Sequence, residues 1–424
     1  MANQPRGRRR GRGQGRGGRG GQNRRGGVRG RSQGGASQRP LDPAEAKERS
    51  GVLEVTKDGY GFLRMAAADY DETPDDAFVS ANVIRRHGLR EGSFIEGLAY
   101  PGRGRGNHLS LESVEKVDGI PPEEAERLPH FKTLTSIDPD ERWNLESEDG
   151  DPDLRIIDLL TPLGKGQRAL IVAPPRTGKT VILEKIGNCI VNRYPDAYLM
   201  VILVDERPEE ATHFKRAVPS TAEVISSTND EPGYRHVRTA ELVITRAKRL
   251  VEAGRDVVVL MDSLTRLGRA YNLETKNSGR TLSGGLDAKV LEKPKAFFGA
   301  ARNVEGGGSL TIVATALVDT GSRMDQVIFE EFKGTGNMEL VLSRKLADRR
   351  TYPAIDINMS GTRREELLVS PSVLRKIHLL RRVLNRMRPI EAMELLSKKI
   401  RETNNNDEFL SRFDQVGVSE LMDD

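Results

Sequence analysis

The segment RALIVAPPRTGKTVILEKIGNCIV, residues 168–191, decides the fold class of this chain. The largely apolar run RALIVA leads into APPRTGKT, and apolar residues at helical spacing follow. A strand, a turn and a helix in this order form the context of a P-loop, in which backbone amides hold phosphates at the start of the helix. The segment therefore predicts a nucleotide site in an α/β domain.

The P-loop departs from the strict motif because Ala173 stands where the first glycine is usual. Two prolines follow Ala173 and have no N–H group, so the amides of residues 176–180 must hold the phosphates. Lys179 is expected to reach the β- and γ-phosphates, and the Thr180 hydroxyl is expected to bind Mg²⁺.

Further apolar runs extend the domain beyond the P-loop. AYLMVILVD (197–205), EVISST (223–228), DVVVLMD (256–262) and SLTIVATAL (309–317) are typical of parallel strands covered on both faces. Segments with helical periodicity lie between these runs and again after residue 370. We expect a doubly wound domain over residues 154–424 that ends in helices.

Acidic residues close two of these strands, at the edge where α/β sheets bind ligands. Asp262 ends DVVVLMD and is expected to hold Mg²⁺, whereas Glu206 follows AYLMVILVD and is a candidate to polarise the attacking water. Either carboxylate alone could instead cap the next helix. Arg363 and Arg350 are candidate arginine fingers, with a surface ion pair as the alternative for each.

Short strands separated by turn residues occupy the region before this domain. GVLEVT, GYGFLRM, DAFVSA, SFIEGLAY and HLSLESVEKV predict a small all-β barrel of the OB-fold type over residues 46–120. Residues 121–153 are acidic and contain prolines, and we expect a linker there.

Alternating aromatic residues mark one strand of the predicted barrel. Tyr60 and Phe62 share one face of DGYGFLR, Arg64 follows, and Phe78 is placed to extend the surface. Rings with an arginine on a small barrel suit the stacking of single-stranded bases. The alternative is that these rings belong to the barrel core.

The N-terminal segment has a different composition from the rest of the chain. Residues 1–40 hold 12 Arg, 13 Gly and no acidic residue, whereas the remaining residues carry a net charge of −7. We expect residues 1–45 to be disordered and to grip RNA phosphates and bases, or simply to aid solubility. A single cysteine, no apolar leader and no apolar run of membrane length favour a cytoplasmic protein without a membrane partner.

Together these motifs resemble the Rho family of bacterial transcription termination factors. The stretches that carry the resemblance run from about Gly51 to near the C-terminus: DGYGFLR, GKGQRALIVAPPRTGKT, VDERPEE, LMDSLTRLGRAYN, FFGAARNVEGGGSLTIVATALVDTGSRMD, EEFKGTGNMEL and SGTRREELL. The resemblance implies a homohexameric ring of RecA-like ATPase domains that uses ATP and Mg²⁺. It also implies 5′→3′ translocation along nascent RNA and release of the transcript from RNA polymerase, with elongation factors as further partners.

The resemblance also implies site residues. Lys179, Thr180, Glu206, Asp262 and Arg363 match the catalytic set. Further nucleotide contacts match Gly164, Lys165, Gly166, Gln167, Arg168, Ala169, Arg176, Thr177, Gly178, Val181 and Arg207. RNA contacts match Asp58, Gly59, Tyr60, Gly61, Phe62, Leu63, Arg64, Asp76, Ala77, Phe78, Gly106, Asn107 and His108, and in two central loops Arg280, Ser283 and Arg323.

Departures from the family pattern and alternative functions stay open at this point. His108 stands where the family often has an aromatic residue, and Arg176 replaces a frequent lysine. A rotary ATP synthase-type catalytic subunit, a DNA recombinase and a non-catalytic RNA-binding scaffold are the alternatives. The aromatic strand disfavours the first, and the complete Lys179, Glu206 and Asp262 set disfavours the last.

Overall fold

The computed structural model describes residues 43–102, 108–147, 150–275 and 289–412. Of the predicted tail 1–45, only the 3₁₀ turn Pro43–Glu45 falls within this range. Four residues matched to RNA contacts, Gly106, Asn107, Arg280 and Ser283, lie outside the described residues. The described residues from Pro43 onward belong to one compact unit.

A closed five-stranded barrel forms the first domain, as the strand pattern predicts. Its strands are β1 (Lys47–Val55), β2 (Gly61–Arg64), β3 (Phe78–Val79), β4 (Phe94–Pro101) and β5 (Leu109–Val117), in the order β1-β2-β3-β5-β4. The run DAFVSA ends as a strand at Val79, because the Ser80 side chain accepts a hydrogen bond from Val83 N and caps α1 (Ala81–Arg86). Alternate strand residues fill the core, among them Leu53, Leu63 and Leu111.

The predicted linker connects the barrel to the second domain but is not a free spacer. It contains α2 (Pro122–Ala125), β6 (Ser136–Ile137) and β7 (Arg142–Trp143), and β7 pairs with β8 (Leu163–Gly164). The Trp143 side chain is buried in the second domain, where its Nε1 donates a hydrogen bond to Thr311 Oγ1 at 3.0 Å. The sequence of this acidic, proline-containing segment does not predict these buried contacts, because its few apolar residues follow no regular period.

A mostly parallel sheet forms the centre of the second domain. Its strands are β9 (Arg168–Ala173), β10 (Tyr198–Glu206), β11 (Glu223–Thr228), β12 (Asp256–Asp262), β13 (Arg302–Val304), β14 (Ser309–Leu317), β15 (Met338–Val341) and β16 (Gly361–Thr362). The order is β11-β10-β12-β14-β9-β15-β16, with β16 antiparallel to β15. The antiparallel pairs β13–β14 and β6–β13 lie off this path. Strands β9, β11, β12 and β14 coincide with the apolar runs RALIVA, EVISST, DVVVLMD and SLTIVATAL, as expected for strands buried on both faces.

Helices cover both faces of this sheet. They are α3 (Pro152–Leu160), α4 (Lys179–Arg193), α5 (Pro208–Ala217), α6 (Gly233–Glu252), α7 (Leu264–Glu274), α8 (Glu292–Phe298), α9 (Arg323–Lys333), α10 (Arg344–Asp348), α11 (Pro371–Leu384) and α12 (Pro389–Arg401). Along β9, Ala169 and Ile171 pack with the α3, α4 and α12 side, whereas Leu170 and Val172 pack with the α6 and α7 side. The sheet therefore separates two apolar cores, and the carboxyl ends of its parallel strands share one edge.

Candidate nucleotide and nucleic-acid sites

The P-loop adopts the strand, turn and helix conformation that its sequence predicts. β9 ends at Ala173, and α4 begins at Lys179 directly after Gly178, whose φ is +90°. Such a positive φ is readily available only to glycine. The loop is closed from within by Thr177 Oγ1, which donates a hydrogen bond to the Pro174 carbonyl at 2.8 Å. The amides at the start of α4 are thereby placed to bind an anion.

Two carboxylates and a hydroxyl surround the Lys179 ammonium group. Nζ of Lys179 lies 2.5 Å from Asp262 Oδ2, 3.9 Å from Glu206 Oε2 and 3.4 Å from Thr180 Oγ1. The other carboxylate oxygen of Asp262 accepts a hydrogen bond from Thr315 Oγ1 at 2.8 Å. Four of the predicted catalytic residues therefore come together at the carboxyl edge of β9, β10, β12 and β14: Lys179, Thr180, Glu206 and Asp262.

Glu206 has the surroundings of a proton acceptor. It is 4% exposed, its Oε1 accepts a hydrogen bond from Arg266 Nη2 at 3.1 Å, and its Oε2 has no hydrogen-bond partner among the described residues. Burial and the nearby Asp262 carboxylate raise the pKa of Glu206 to about 7, against the opposing effects of Lys179 and Arg266. A carboxyl group that titrates near neutral pH suits general-base work.

The same edge fits a magnesium ion that accompanies a nucleotide. Thr180 and Asp262 offer a hydroxyl and a carboxylate, which are hard oxygen ligands next to the phosphate-binding turn. Within the described ranges, no group of three or more His, Cys, Asp or Glu side chains is placed to hold a metal. Mg²⁺ usually takes one or two protein ligands together with phosphate oxygens.

Three aromatic rings form a cluster on the barrel, which we call the aromatic platform: Tyr60, Phe62 and Phe78. The ring centroids lie 5.9 Å apart for Tyr60 and Phe62, 5.5 Å for Tyr60 and Phe78, and 5.8 Å for Phe62 and Phe78. All three side chains are partly exposed, and none belongs to the barrel core. The core alternative is therefore wrong for these rings, which present π faces on which bases can stack.

Several neighbours of the platform face inward instead. Leu63 and Ala77 are each 1% exposed and pack in the barrel core. Arg64 is also buried, with Nη1 2.5 Å from Asp76 Oδ2 and Nε 2.6 Å from Glu54 Oε2. The side chains of these four predicted RNA contacts are thus engaged within the protein, and Arg64 supports the platform through its guanidinium group, 4.9 Å from the Phe62 ring centroid.

The turn beside the platform is exposed, as the sequence suggests. Asp58 lies on the surface, and Gly59 has φ +83°. Gly61 serves a different purpose, because a Cβ atom there would lie 2.4 Å from the Glu54 carbonyl oxygen. The His108 side chain is exposed, and its carbonyl oxygen accepts a hydrogen bond from Gly102 N.

Comparison with known proteins agrees with both sites. Residues 153–362 match the nucleotide-binding domain of the ATP synthase alpha/beta family, and residues 49–123 match the RNA-binding domain of Rho termination factor. The transcription termination factor Rho of Cereibacter sphaeroides is 56% identical over 362 residues, which cover 85% of each chain. Rho of Aquifex aeolicus is 52% identical over 85% of this chain and 83% of its own.

The chain belongs to the Rho family of transcription termination factors. It combines the RNA-binding barrel of this family with its ATPase domain, and this combination is not that of a rotary ATP synthase subunit, a recombinase or a non-catalytic scaffold. A solved ATPase of a bacterial type III secretion system shares the fold, with TM-score 0.55, 22% identity, and coverage of 68% of this chain and 87% of that one. No described helix is both long and apolar enough to cross a membrane.

One predicted set of nucleotide contacts lies far from the P-loop of the same chain. Gly164–Ala169 precede or open β9, whereas Lys179 follows its carboxyl end, and the strand spans about 17 Å. Gly166 packs so closely that a Cβ atom there would lie 2.1 Å from Asn303 N. Lys165 is paired with Glu141 at 2.6 Å and Asp256 at 2.8 Å. These residues are out of reach of a phosphate held by Lys179 of the same chain.

Arg363 lies on that same distant edge of the sheet. Its backbone N–H donates to the Asn337 carbonyl, and the Asn337 side-chain oxygen accepts from Gln167 Nε2 and Arg168 N. The Arg363 side chain is exposed and forms no ion pair with any described residue. The ion-pair alternative is therefore not supported, and the guanidinium group is free to reach a second molecule.

The other predicted residues lie nearer the nucleotide edge. Arg207 follows Glu206 and is exposed, as are Val181 in the first turn of α4 and Arg176 in the P-loop. Arg350 is exposed two residues before Tyr352, whose ring approaches the P-loop. Arg323 is exposed at the start of α9, in the loop region that follows β14.

Sequence reasoning missed two side chains at this edge. Arg266 binds Glu206 and also donates to the Asp205 carbonyl, and Tyr352 is 40% exposed with Cε1 3.9 Å from where a Cβ of Gly178 would stand. The exposed aromatic ring offers a surface on which a nucleotide base can stack. Neither role is visible in the sequence, because Arg266 and Tyr352 each lie more than 50 positions from the residue that they approach.

Proposed function

We propose that this chain is an RNA-dependent ATPase that moves 5′→3′ along nascent single-stranded RNA and releases the transcript from RNA polymerase. The observation that carries this proposal is the partly exposed aromatic platform in the same compact unit as the edge that holds Lys179, Glu206 and Asp262. Clustered rings on the surface of a small barrel are a platform on which single-stranded bases stack. Action on nascent RNA places the protein in the cytoplasm.

Each residue at the ATPase edge has a distinct task in this proposal. Lys179 and the amides at the start of α4 bind the phosphates, and Thr180 and Asp262 hold Mg²⁺, which neutralises phosphate charge when bound. Glu206 in its ionised form orients the attacking water and accepts its proton, while Arg266 fixes its orientation. Tyr352 stacks on the base.

Hydrolysis in this proposal takes place between subunits. Arg363 lies across the length of β9 from Lys179, so it cannot stabilise the transition state of its own chain's nucleotide. The finger and Gly164–Ala169 instead face the P-loop of a neighbouring copy. A closed ring satisfies every such head-to-tail interface, and the homohexamer of the Rho family is the ring we propose.

Steady-state ATP hydrolysis tests this function. The rate is measured with cytidine-rich RNA, with single-stranded DNA of equal length, and without nucleic acid. We expect stimulation by RNA that disappears in Lys179→Ala and Arg363→Ala. Equal rates under the three conditions would contradict RNA dependence.

Direction is tested separately on RNA–DNA hybrids with a single-stranded RNA extension at either end. We expect ATP-dependent strand release only when the extension lies on the 5′ side of the duplex. Equal release from both hybrids would exclude directional translocation, even if RNA still stimulated hydrolysis.

A further inference from the structure

Side-chain contacts, joined by the helices α6 and α7, connect the aromatic platform to the catalytic edge within one subunit. The connection begins with Glu54, which stands directly opposite Phe62 in the β1–β2 ladder. The Glu54 carboxylate receives Arg64 Nε at 2.6 Å, and the Arg64 guanidinium lies over the Phe62 ring. Glu54 therefore holds the buried Arg64 guanidinium group against the ring of Phe62.

The same carboxylate also binds the ATPase domain. Arg238 of α6 donates from Nε to Glu54 Oε1 at 2.5 Å and from Nη2 to Oε2 at 2.6 Å. Burial favours the neutral acid, but Arg238 and Arg64 outweigh it and hold the pKa of Glu54 below its ordinary value. Loss of either arginine would leave the Glu54 carboxylate with a single partner, at a cost in free energy. This contact is therefore a firm connection between the domains.

Helix α6 continues the connection. Glu241 lies three residues after Arg238, on the same face of the helix. Its Oε1 accepts hydrogen bonds from Tyr271 OH at 3.0 Å and from Lys293 Nζ at 2.6 Å. These two partners belong to α7 and α8, so Glu241 joins three helices.

Helix α7 completes the connection at the catalytic edge. It begins two residues after Asp262 and carries both Tyr271 and Arg266, the side chain that binds Glu206. A cleft of about 320 Å³ separates the barrel from α6, α7 and α8, and Glu54, Arg238, Glu241 and Tyr271 all line it. The domains are thus joined here by long polar side chains that border this cleft.

We propose that Arg238 is a positioning residue for RNA-dependent hydrolysis. When RNA occupies the aromatic platform, Arg238 transmits the change at Glu54 to α6, α7 and Arg266. This inference rests on the proposed function, since it explains how RNA on the barrel activates Glu206. A base that stacks on Phe62 changes the surroundings of Arg64. The hydrogen bonds that Arg64 and Arg238 donate to the Glu54 carboxylate then change in strength.

The test compares Arg238→Gln with Lys215→Gln in the full-length chain. Lys215 Nζ lies 2.8 Å from Asp69, so it also joins the barrel to the ATPase domain but belongs to no part of the proposed connection. For Arg238→Gln we expect the basal rate and the affinity for a short cytidine oligonucleotide to stay within about 2-fold of wild type, and stimulation by RNA to fall at least about 5-fold. Lys215→Gln should keep normal stimulation, and Arg238→Lys should recover part of it.

Several results would overturn the inference. Normal stimulation in Arg238→Gln, an equal loss in Lys215→Gln, or weaker oligonucleotide binding with normal maximal stimulation would each do so. If Arg238→Gln does not fold, Tyr271→Phe removes one hydroxyl and should lower stimulation, whereas an unchanged value contradicts the connection. A wild-type chain that RNA does not stimulate would instead refute the proposed function.

A double-mutant cycle adds an independent readout. The effects of Phe62→Ala and Arg238→Gln on maximal stimulation should not be additive, because both substitutions interrupt the same connection. Phe62→Ala combined with Lys215→Gln should show additive effects. Additivity in both pairs would place Arg238 outside the pathway.

Discussion

The Lys179 ammonium group lies 2.5 Å from the carboxylate of Asp262, so two residues 83 positions apart neutralise each other at the carboxyl edge of the sheet. Both are buried or nearly so, and the second oxygen of Asp262 is fixed by Thr315. A phosphate group that arrives at this edge therefore meets a lysine whose position is already set by a strand of the sheet.

Removal of either partner should abolish hydrolysis. Lys179→Ala removes the charge that binds the phosphates, and Asp262→Asn removes the carboxylate that fixes Lys179. We expect a loss of at least about 100-fold in kcat for each variant, measured by phosphate release with saturating RNA. Retention of RNA affinity would be the control for folding, and residual activity near wild type in Lys179→Ala would refute its role.

The rate of hydrolysis should rise with pH around neutrality. Because the pKa of Glu206 is raised to about 7, the group is largely protonated below that pH and cannot accept a proton from water. The expected profile of kcat/KM, which reports the pKa of the free enzyme, has its half-maximum near pH 7 on the acidic side. Glu206→Gln should lose both activity and this titration, and a flat profile between pH 6 and pH 8 in wild type would argue against Glu206 as the base.

Arg363 should act on a neighbouring subunit. Arg363→Ala and Lys179→Ala are each expected to be inactive alone, with a loss of about 10³-fold or more for the finger. Mixed and reassembled, they should regain part of the activity, because some interfaces then combine an intact P-loop with an intact finger. Mixed subunits that stay inactive although they assemble together would contradict this arrangement.

The aromatic platform should determine RNA affinity without affecting basal hydrolysis. Phe62→Ala is expected to weaken binding of a short cytidine oligonucleotide by about 1–3 kcal/mol, the contribution of one stacked base. Fluorescence anisotropy measures this loss. Leu63→Ala, in the barrel core, should instead lower the free energy of unfolding by about 2–5 kcal/mol. Equal RNA affinity in Phe62→Ala and wild type would remove the platform from the RNA site.

The arginine-rich segment offers a separate test of RNA affinity. Residues 1–40 carry 12 arginines, so their deletion should weaken RNA binding most at low salt and make its salt dependence less steep. Titrations at several salt concentrations provide the slope. An unchanged dissociation constant and slope would leave the segment without a role in binding.

Much of the fold follows from local sequence pattern. The apolar runs predict β9, β11, β12 and β14 because a strand buried on both faces tolerates few polar residues. Asp262 and Glu206 were found for a related reason, since each stands where such a run ends. Tyr60 and Phe62 of the platform are predicted by their alternation along the sequence that leads into β2, whereas Phe78 lies on β3.

Other features depend on distant partners and could not be read from pattern. The sequence suggests that Arg64 contacts RNA, whereas in the structure its side chain is paired with two carboxylates, one of them on another strand. Gly164–Ala169 lie close to the P-loop in sequence, yet a straight strand places them at the far edge of the sheet. The pair Arg238–Glu54 joins residues 184 positions apart, for which the sequence holds no signal.

Asn337 grips both the backbone of Arg363 and the first residue of β9, and β9 runs straight into the P-loop. In a ring, the group that a subunit lends to one neighbour and the loop with which it holds its own ATP are thus opposite ends of a single rigid rod. In the ring that we propose, the nucleotide sites on the two sides of a subunit are therefore expected to influence each other through one strand of six residues.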